Sequence, residues 1–253
     1  ANSSNLNGGG IYAYNGSNPS LLNVAITNNT AVHGGGGMDM YSNSNPTLTN
    51  VTISGNTSDA NGGGFQLSEN SHIILVNGIM WNNHPQEIYF EPTSSNDSIT
   101  VSYSNIEHGQ DSILTNDNGT VTWGDGNIDV DPKFIDAAND DYQLLASSML
   151  INAGHPDSTD SDGTVADMGA YPYLNNYSGP TWYITESGND TIATGASDDP
   201  FRSIQAGINF SSDTDSVTVA AGTYVENINF RGRNIKVAGA DRETTIIDGD
   251  SLN

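Results

Sequence analysis

The chain has 253 residues, with 30 Asp and Glu against 6 Lys and Arg, which gives a formal net charge of −24. This balance disfavours nucleic-acid binding, which depends on basic residues that neutralise phosphates, and the lack of cysteine excludes disulfides and thiolate metal sites. No apolar run is long enough to predict a membrane-spanning helix, so we expect no membrane insertion.

The first 83 residues repeat a sequence phrase at an interval of 27 residues. The glycine triplet that begins at Gly8 recurs at Gly35 and again at Gly62. Two sets of asparagines keep the same period: Asn23, Asn50 and Asn77, and Asn29, Asn56 and Asn83. A fixed period of this size predicts stacked structural units of nearly identical shape.

Each repeat reads as three short strands separated by corners. In the first copy, residues 11–14 alternate between inward and outward positions, and residues 21–26 change their inward phase at Asn23. This pattern predicts one coil of a right-handed parallel β-helix, an all-β fold. The repeated asparagines would form hydrogen-bonded ladders along the stack. Irregular later copies extend the predicted body over residues 1–135, with about five coils.

Family resemblance is carried by the phrases Gly-Gly-Gly-Ile-Tyr and Asn-Pro-Ser-Leu-Leu-Asn-Val-Ala-Ile-Thr. They resemble the right-handed β-helix repeat proteins with pectate-lyase-like architecture. Residues 131–134, 141–144, 151–154 and 166–171 are similar to the C-terminal segment of such surface proteins, the choice-of-anchor type. The resemblance implies an extracellular or cell-surface location, with an acidic anchor-like segment over residues 136–180. In that pattern an Arg commonly stands where this chain has Val165.

Residues 181–253 resemble the beginning of a β-helix protein, its N-terminal cap and first coils. We expect a capping helix over about residues 200–211, with Asp198 and Asp199 at its start. Strands are expected at residues 182–185, 216–220, 223–230, 234–238 and 244–247. The order of body, tail and new cap leaves two interpretations open. In the first, the chain is one repeat unit of a head-to-tail array of copies. In the second, it is an excised segment that contains the end of one domain and the start of another.

One acidic loop has the composition of a calcium site. Its carboxylates are Asp157, Asp160, Asp162 and Asp167, and Gly163 permits a sharp turn among them. The alternative is a solvated acidic turn. A second acidic loop, residues 125–131, is a weaker candidate for calcium binding.

The basic residues lie late in the chain, and none precedes Lys133. Arg231, Arg233, Lys236 and Arg242 are candidate assembly contacts with the acidic body of a neighbouring copy. The alternative is that they form local surface ion pairs, each worth about 0–1 kcal/mol.

Catalytic signatures are weak in this sequence. The lyase resemblance implies polyuronate cleavage, which needs a basic residue that the body lacks, and no histidine forms a recognisable triad. Asp39, Asp59 and Glu69 could supply paired carboxylates. Outward-facing Tyr12, Tyr14 and Tyr41 predict either a stabilising ladder or a sugar-binding surface.

These patterns together predict a non-enzymatic structural or adhesive module that assembles head to tail with copies of itself. Calcium is the one cofactor expected. The alternative is a carbohydrate-active enzyme, either a polysaccharide lyase or a glycoside hydrolase, or a non-catalytic polysaccharide-binding module.

Overall fold

A computed structural model describes residues 1–93 and 96–249. The chain divides into two compact units. Unit one comprises Ala1–Pro132, Ala153–Ser158 and Val165–Pro172, and unit two comprises Lys133–Asn152, Thr159–Thr164 and Tyr173–Asn253. Residues 136–180, the expected anchor-like segment, are shared between the two units. Residues 250–253, the end of the expected cap region, lie outside the described residues.

Unit one is a parallel β-solenoid whose successive coils pair at the 27-residue period. Ile11 is the register partner of Met38, and Met38 is the partner of Phe65. One sheet takes a strand from each of five coils: β2 (Ile11–Tyr14), β5 (Met38–Tyr41), β8 (Phe65–Ser68), β11 (Ile88–Phe90) and β14 (Ile113–Leu114). The five strands of this sheet come from five successive coils of unit one.

Two further parallel sheets complete the coils of unit one. The longer has β3 (Ser20–Thr27), β6 (Thr47–Ser54), β9 (His72–Val76), β10 (Ile79–Trp81), β12 (Asp97–Ser102), β13 (Asn105–Ile106) and β15 (Gly119–Trp123). The shorter has β1 (Ser3–Ser4), β4 (Thr30–Ala31) and β7 (Thr57–Ser58). The asparagine corner lies inside the long strands. Asn23 in β3 and Asn50 in β6 turn the chain there with left-handed backbone angles, with φ of 55° and 50°. Asparagine tolerates this conformation better than most residues.

The core of unit one is the column of side chains that the repeat directs inward. Leu48, Val51 and Ile53 of β6 are fully buried, as are Phe65 and Leu67 of β8. The glycine triplets allow neighbouring coils to approach closely. A Cβ on Gly36 would lie 2.6 Å from the carbonyl oxygen of Gly63 in the next coil.

Unit two has its own core and short sheets. An antiparallel pair joins β16 (Phe134–Asp136) to β17 (Asp141–Leu144). Parallel pairing joins β18 (Thr181–Ile184), β19 (Ser216–Val219) and β21 (Lys236–Gly239), and joins β20 (Gly222–Val225) to β22 (Thr245–Asp248). Helix α1 (Ile204–Phe210) contributes Ile204 and Ile208 to a core shared with Trp182 and Phe201.

The helix is shorter than expected and begins later. Phe201 is extended and bridges Ile184, so the chain cannot turn helical before Ser203. The Ser203 hydroxyl accepts the Ala206 N–H at 3.3 Å and caps the helix. The acidic residue at the first turn is Glu226, which accepts the N–H groups of Ile204 and Gln205, rather than Asp198 or Asp199.

The observed strands also correct the expected boundaries in unit two. The expected strand over residues 223–230 ends at Val225, and the next strand begins at Lys236 rather than at residue 234. Helix α1 is the one α-helix among the described residues, so the all-β prediction is confirmed. No helix in the described part of the chain is both long enough and apolar enough to cross a membrane.

Candidate functional site

Asparagines of the repeat form a first ladder on the longer sheet of unit one. The Asn77 side chain donates to Asn50 Oδ1 at 3.0 Å, and Asn50 donates to Asn23 Oδ1 at 3.1 Å. Asn77 Oδ1 accepts the backbone N–H of His155 at 2.7 Å. This contact holds part of the 153–158 segment against unit one.

The second ladder is buried, and it ends at a carboxylate. Asn29 donates to Asn56 Oδ1, and Asn56 donates to Asn83 Oδ1, each at 2.9 Å. Glu87 then accepts the Asn83 side-chain amide at 2.6 Å and the Asn83 backbone N–H at 3.0 Å. Glu87 therefore takes the place that the next asparagine of the repeat would occupy.

A groove of about 620 Å³ opens where this ladder ends. We call it the acidic groove; it is lined by Asn83, His84, Pro85, Gln86, Glu87, Glu107, His108, Asp111, Ser112 and Leu114. Glu87 is 3% exposed and lies at the floor, whereas His84, His108 and Asp111 are exposed at the rim. Five of its lining side chains are ionisable: His84, Glu87, Glu107, His108 and Asp111.

The floor of the acidic groove is a pair of carboxyl groups. Glu107 lies within hydrogen-bonding reach of Glu87, and Glu107 Oε2 also accepts the Asn82 N–H at 2.7 Å. Burial raises the pKa of Glu87 to about 8, and the nearby Glu107 charge adds to the rise, against the lowering effect of the Asn83 hydrogen bonds. Burial therefore favours the protonated form of Glu87 more than that of an ordinary glutamate.

The spacing of this pair limits the chemistry available to it. Glycoside hydrolysis uses two carboxyl groups about 5–5.5 Å apart for retention or about 6.5–9.5 Å apart for inversion. Hydrogen-bonded carboxyl groups are closer than either arrangement. A direct contact between Glu87 and Glu107 therefore matches neither arrangement.

The expected calcium loop uses one of its carboxylates for local structure. Asp162 Oδ1 accepts the N–H and hydroxyl of Thr164 at 3.0 and 2.8 Å, and Asp162 Oδ2 accepts the Asn175 N–H at 2.8 Å. Partial burial would raise the pKa of Asp162, but these hydrogen bonds outweigh it and leave the pKa below its ordinary value. Asp167 is 2% exposed.

Among residues 1–93 and 96–249, no three His, Asp or Glu side chains are grouped to hold a metal ion. Calcium binding by Asp157, Asp160, Asp162 and Asp167 stays a prediction. A rise in melting temperature on adding calcium, lost with Asp160→Ala combined with Asp162→Ala, is the measurement that tests it.

The four cations proposed as assembly contacts differ in their surroundings. Arg231 is committed within unit two, where it donates to the Ile151 carbonyl at 2.6 Å and to Asn209 Oδ1 at 3.1 Å. Arg233 is partly buried, and desolvation lowers the pKa of its guanidinium. Lys236 is exposed. Arg242 is exposed as well and pairs with Glu243 at 3.3 Å.

The expected aromatic column is present on the outer face of unit one. Tyr14 stacks on Tyr12 and on Tyr41, with ring centroids 5.9 and 5.6 Å apart. Tyr12 and Tyr14 are about half exposed, at 49% and 53%. The Tyr41 hydroxyl donates to Glu69 at 2.5 Å. This surface offers stacked ring faces together with an acceptor.

Asp39, Asp59 and Glu69 do not lie in one environment. Asp59 and Glu69 are exposed, whereas Asp39 is fully buried between the register partners Tyr12 and Gln66. Neither carboxylate oxygen of Asp39 has a hydrogen-bond partner of good geometry, although the Asn7 side chain lies near enough to favour the charged form, and Gln66 Oε1 has no partner either. Burial raises the pKa of Asp39 to about 7, partly offset by Asn7.

Comparison with protein-family models gives a match over residues 2–142, more than half of the chain, to the right handed beta helix region family. The chain belongs to this family. The matched residues cover the five coils of unit one and extend to residue 142 in unit two. The family includes both enzymes and proteins without catalytic activity. Neither a search of the curated proteins nor a search of the solved structures found a match.

Sequence reasoning missed the acidic groove of this β-helix. Glu87 and Glu107 lie where the 27-residue repeat breaks down, so no spacing aligned them. The one available signal was the missing fourth glycine triplet, because the 27-residue period places it at residues 89–91, where the chain has Tyr89, Phe90 and Glu91.

Proposed function

We propose that this β-helix is a structural or adhesive module of the cell surface or extracellular space, which stacks end to end with further copies. The observation that carries the proposal is that the strands of the first coil of unit one have no second partner among the described residues. The surface location rests on the resemblance of residues 131–171 to choice-of-anchor segments.

The first coil presents unpaired strand edges over a partly covered core. Within the described residues, β2 pairs only with β5 and β3 only with β6. Inward-facing Ile11, Leu21 and Val24 are half-buried, whereas their register partners in the second coil are fully buried. An unpaired edge above exposed core favours the addition of a further strand.

Unit two offers an edge of the matching kind. In the described part of the chain, β22 pairs only with β20, and β21 only with β19. Ile246 and Ile247 of β22 are 48% and 46% exposed. A parallel contact between this edge and the first coil of another copy is heterologous, so it continues without closing and gives filaments.

Charge adds only a long-range attraction to this pairing. Residues 1–132 contain no Lys or Arg, and Lys236 is exposed on β21 at the unpaired edge of unit two. The first coil itself has no acidic side chain, because the first Asp or Glu of the chain is Asp39, so attraction to Lys236 comes from later coils and acts on the association rate more than on the affinity. Arg231 does not contribute, because it is committed to Ile151 and Asn209.

Sedimentation velocity over a range of protein concentrations tests the assembly. We expect species larger than one chain that grow with concentration and that are lost in Leu22→Lys, because Leu22 of β3 is 60% exposed and an edge lysine blocks strand addition. Val32→Lys is the matched control, since Val32 is 39% exposed and lies outside the strands. A wild-type protein that stays monomeric at high concentration would overturn the proposal.

The second candidate is a polysaccharide-binding or carbohydrate-active β-helix, favoured by the exposed stack of Tyr12, Tyr14 and Tyr41. Sugar rings stack on such faces, and the Glu69 carboxylate can accept their hydroxyl groups. A binding and turnover scan of acidic and neutral polysaccharides, with and without calcium, separates it from the first. Product release would favour an enzyme, and binding lost with Tyr14→Ala without product release would favour a binding module.

A further inference from the structure

The last described coil of unit two has the strand spacing of unit one. Its strand β21 begins at Lys236 and its strand β22 begins at Thr245, nine residues later. In the first coil of unit one, β2 begins at Ile11 and β3 at Ser20, and the same interval separates β5 from β6. The preceding coil of unit two is different, because β19 and β20 begin only six residues apart. The coil at the edge of unit two therefore matches unit one better than it matches its own neighbour.

The inward side chains of the two edges have the same separation. Val237 and Ile247 are the register partners of buried side chains in β19 and β20, so both point toward the core of unit two. They are ten residues apart, as are Ile11 and Leu21, which pack on the core of unit one. Ile247 is 46% exposed, and Ile11 and Leu21 are only half-buried. Each edge therefore presents two apolar side chains at matching positions.

Backbone hydrogen bonds show which peptide groups face the open edge of unit two. Along a strand, the N–H and C=O groups of successive residues point alternately to the two neighbouring strands. The Lys236 N–H donates to the Asp215 carbonyl at 2.9 Å, and the Asp248 carbonyl accepts the N–H that follows β20 at 3.0 Å. Val237 and Ile247 alternate with these residues, so their N–H and C=O groups face the open edge.

The first coil of unit one has the complementary phase. The Ile11 N–H donates to the Gly37 carbonyl at 2.9 Å, and the same bond recurs one coil later at 2.9 Å. The Gly10 carbonyl is the preceding member of this series and faces the open edge, as does the N–H of Tyr12, which alternates with Ile11.

The other strand of this coil behaves in the same way. The Pro19 carbonyl accepts the Thr47 N–H at 3.0 Å and so faces β6. Leu21 has the same phase as Pro19, and the N–H groups of Ser20 and Leu22 therefore face the open edge.

We propose that these two edges pair between copies in one register, with Val237 beside Ile11 and Ile247 beside Leu21. The inference rests on the proposed end-to-end stacking and defines the partner surface: the β21–β22 edge of one copy receives the β2–β3 edge of the next. Both inward columns then continue across the junction, and both sheets extend in parallel.

Hydrogen bonding and side-chain direction select this register over its neighbours. The Val237 N–H can donate to the Gly10 carbonyl, and the Tyr12 N–H can donate to the Val237 carbonyl, which repeats the bonding between coils of unit one. A slip of one residue would bring Lys236 over the inward column at Ile11 and turn the apolar side chains outward.

Disulfide trapping reads the register directly, since the chain has no cysteine of its own. Leu22 and Asp248 are exposed and lie opposite each other in the proposed register. Chains with Leu22→Cys mixed with chains with Asp248→Cys should form a cross-linked heterodimer under mild oxidation, because neighbouring strands are about 4.8 Å apart and a disulfide spans this distance. Ser20→Cys is the matched control. It lies on the same face two residues away, too far from position 248 for the bond, so the cross-link should be lost.

A second pair tests the other sheet independently. Tyr12 and Ala238 are opposite in the same register, so Tyr12→Cys chains mixed with Ala238→Cys chains should also form a heterodimer. Agreement between the two pairs requires both strands of the coil to dock together.

The register and the stacking can fail separately. Disulfides between two Leu22→Cys chains, or equal trapping by Ser20→Cys, would overturn the proposed register while end-to-end stacking stands. Large species of the wild-type chain in sedimentation, with neither pair cross-linked, would have the same meaning. A wild-type chain that stays monomeric at high concentration would overturn both.

Discussion

Individual buried carboxyl groups are the residues that depart most from the repeat. Asp39 occupies a position that Tyr12 and Gln66 fill in the neighbouring coils, and Glu87 replaces an asparagine at the end of a ladder. Burial raises the pKa of each, to about 7 and about 8. A carboxyl whose folded pKa is raised stabilises the fold while it is protonated and ceases to do so as pH rises.

Replacing Asp39 with asparagine should stabilise the protein above neutral pH. The contribution of neutral Asp39 is fully present below its ordinary pKa of 3.8 and is lost as pH rises through about 7. Asp39→Asn removes this loss and places an N–H donor beside Gln66 Oε1, which has no partner. We expect a higher melting temperature than wild type at pH 8 and a smaller difference at pH 5. Asp59→Asn, on an exposed aspartate, should follow the wild-type pH profile, and an unchanged profile for Asp39→Asn would contradict the argument.

Ladders and strands are the elements that join one coil to the next. The buried asparagine ladder satisfies backbone groups as well as its own amides, because Asn56 also donates to the Ile26 carbonyl at 2.7 Å. The outer ladder ends at exposed Asn23. At that end its hydrogen bond joins two side chains, Asn50 and Asn23, and involves no backbone group. The two ladders should therefore differ in their contribution to stability.

Asn56→Ala should destabilise the protein by about 3 kcal/mol or more. It leaves the Asn29 amide, the Asn29 backbone N–H and the Ile26 carbonyl without partners, and each buried orphan costs about 1–3 kcal/mol. Asn23→Gly keeps the left-handed corner and should cost about 1 kcal/mol or less. Urea denaturation measures both, and equal losses would refute the distinction.

Val51→Asp tests the inward column of side chains. Val51 is fully buried in β6, so an aspartate there is an unpaired charge between coils and should cost more than about 4 kcal/mol. Val24→Asp is the matched control, because Val24 is the register partner of Val51 and only half-buried. Its loss should be clearly smaller in the same denaturation experiment.

Periodicity explains which of these elements sequence alone could predict. Wherever the 27-residue period holds, the spacing of residues was enough to predict which side chains point inward, where the corners lie and which asparagines form ladders. Each coil there repeats the environment of the coil before it. After Asn83 the period breaks, and the positions of Glu87, Glu107 and their groove depend on contacts that spacing does not encode. The helix start at Ser203 was missed for a related reason, because a bridge to Ile184 keeps Phe201 extended.

The charge distribution of the whole molecule sets how it responds to its solvent. All 6 basic residues lie at or after Lys133, whereas the 30 acidic residues are spread along the chain. Each unit therefore carries acidic side chains, and the N-terminal 132 residues hold no Lys or Arg to offset them. Self-repulsion of this kind destabilises a compact state and weakens as salt screens it.

Stability should consequently rise with ionic strength. The screening length falls from about 30 Å at 0.01 M salt to about 10 Å at 0.1 M, which removes most repulsion between separated surface carboxylates. We expect the melting temperature at pH 7 to increase steeply over this range of sodium chloride and to level off above it, because repulsion between separated charges is by then already screened. A matched series in sucrose should lack the steep initial rise, since an uncharged solute acts only through exclusion from the surface. A melting temperature that is independent of salt would mean that bound protons or bound cations already neutralise the acidic groups. Potentiometric titration of the folded chain would count the bound protons and so distinguish protonation from cation binding.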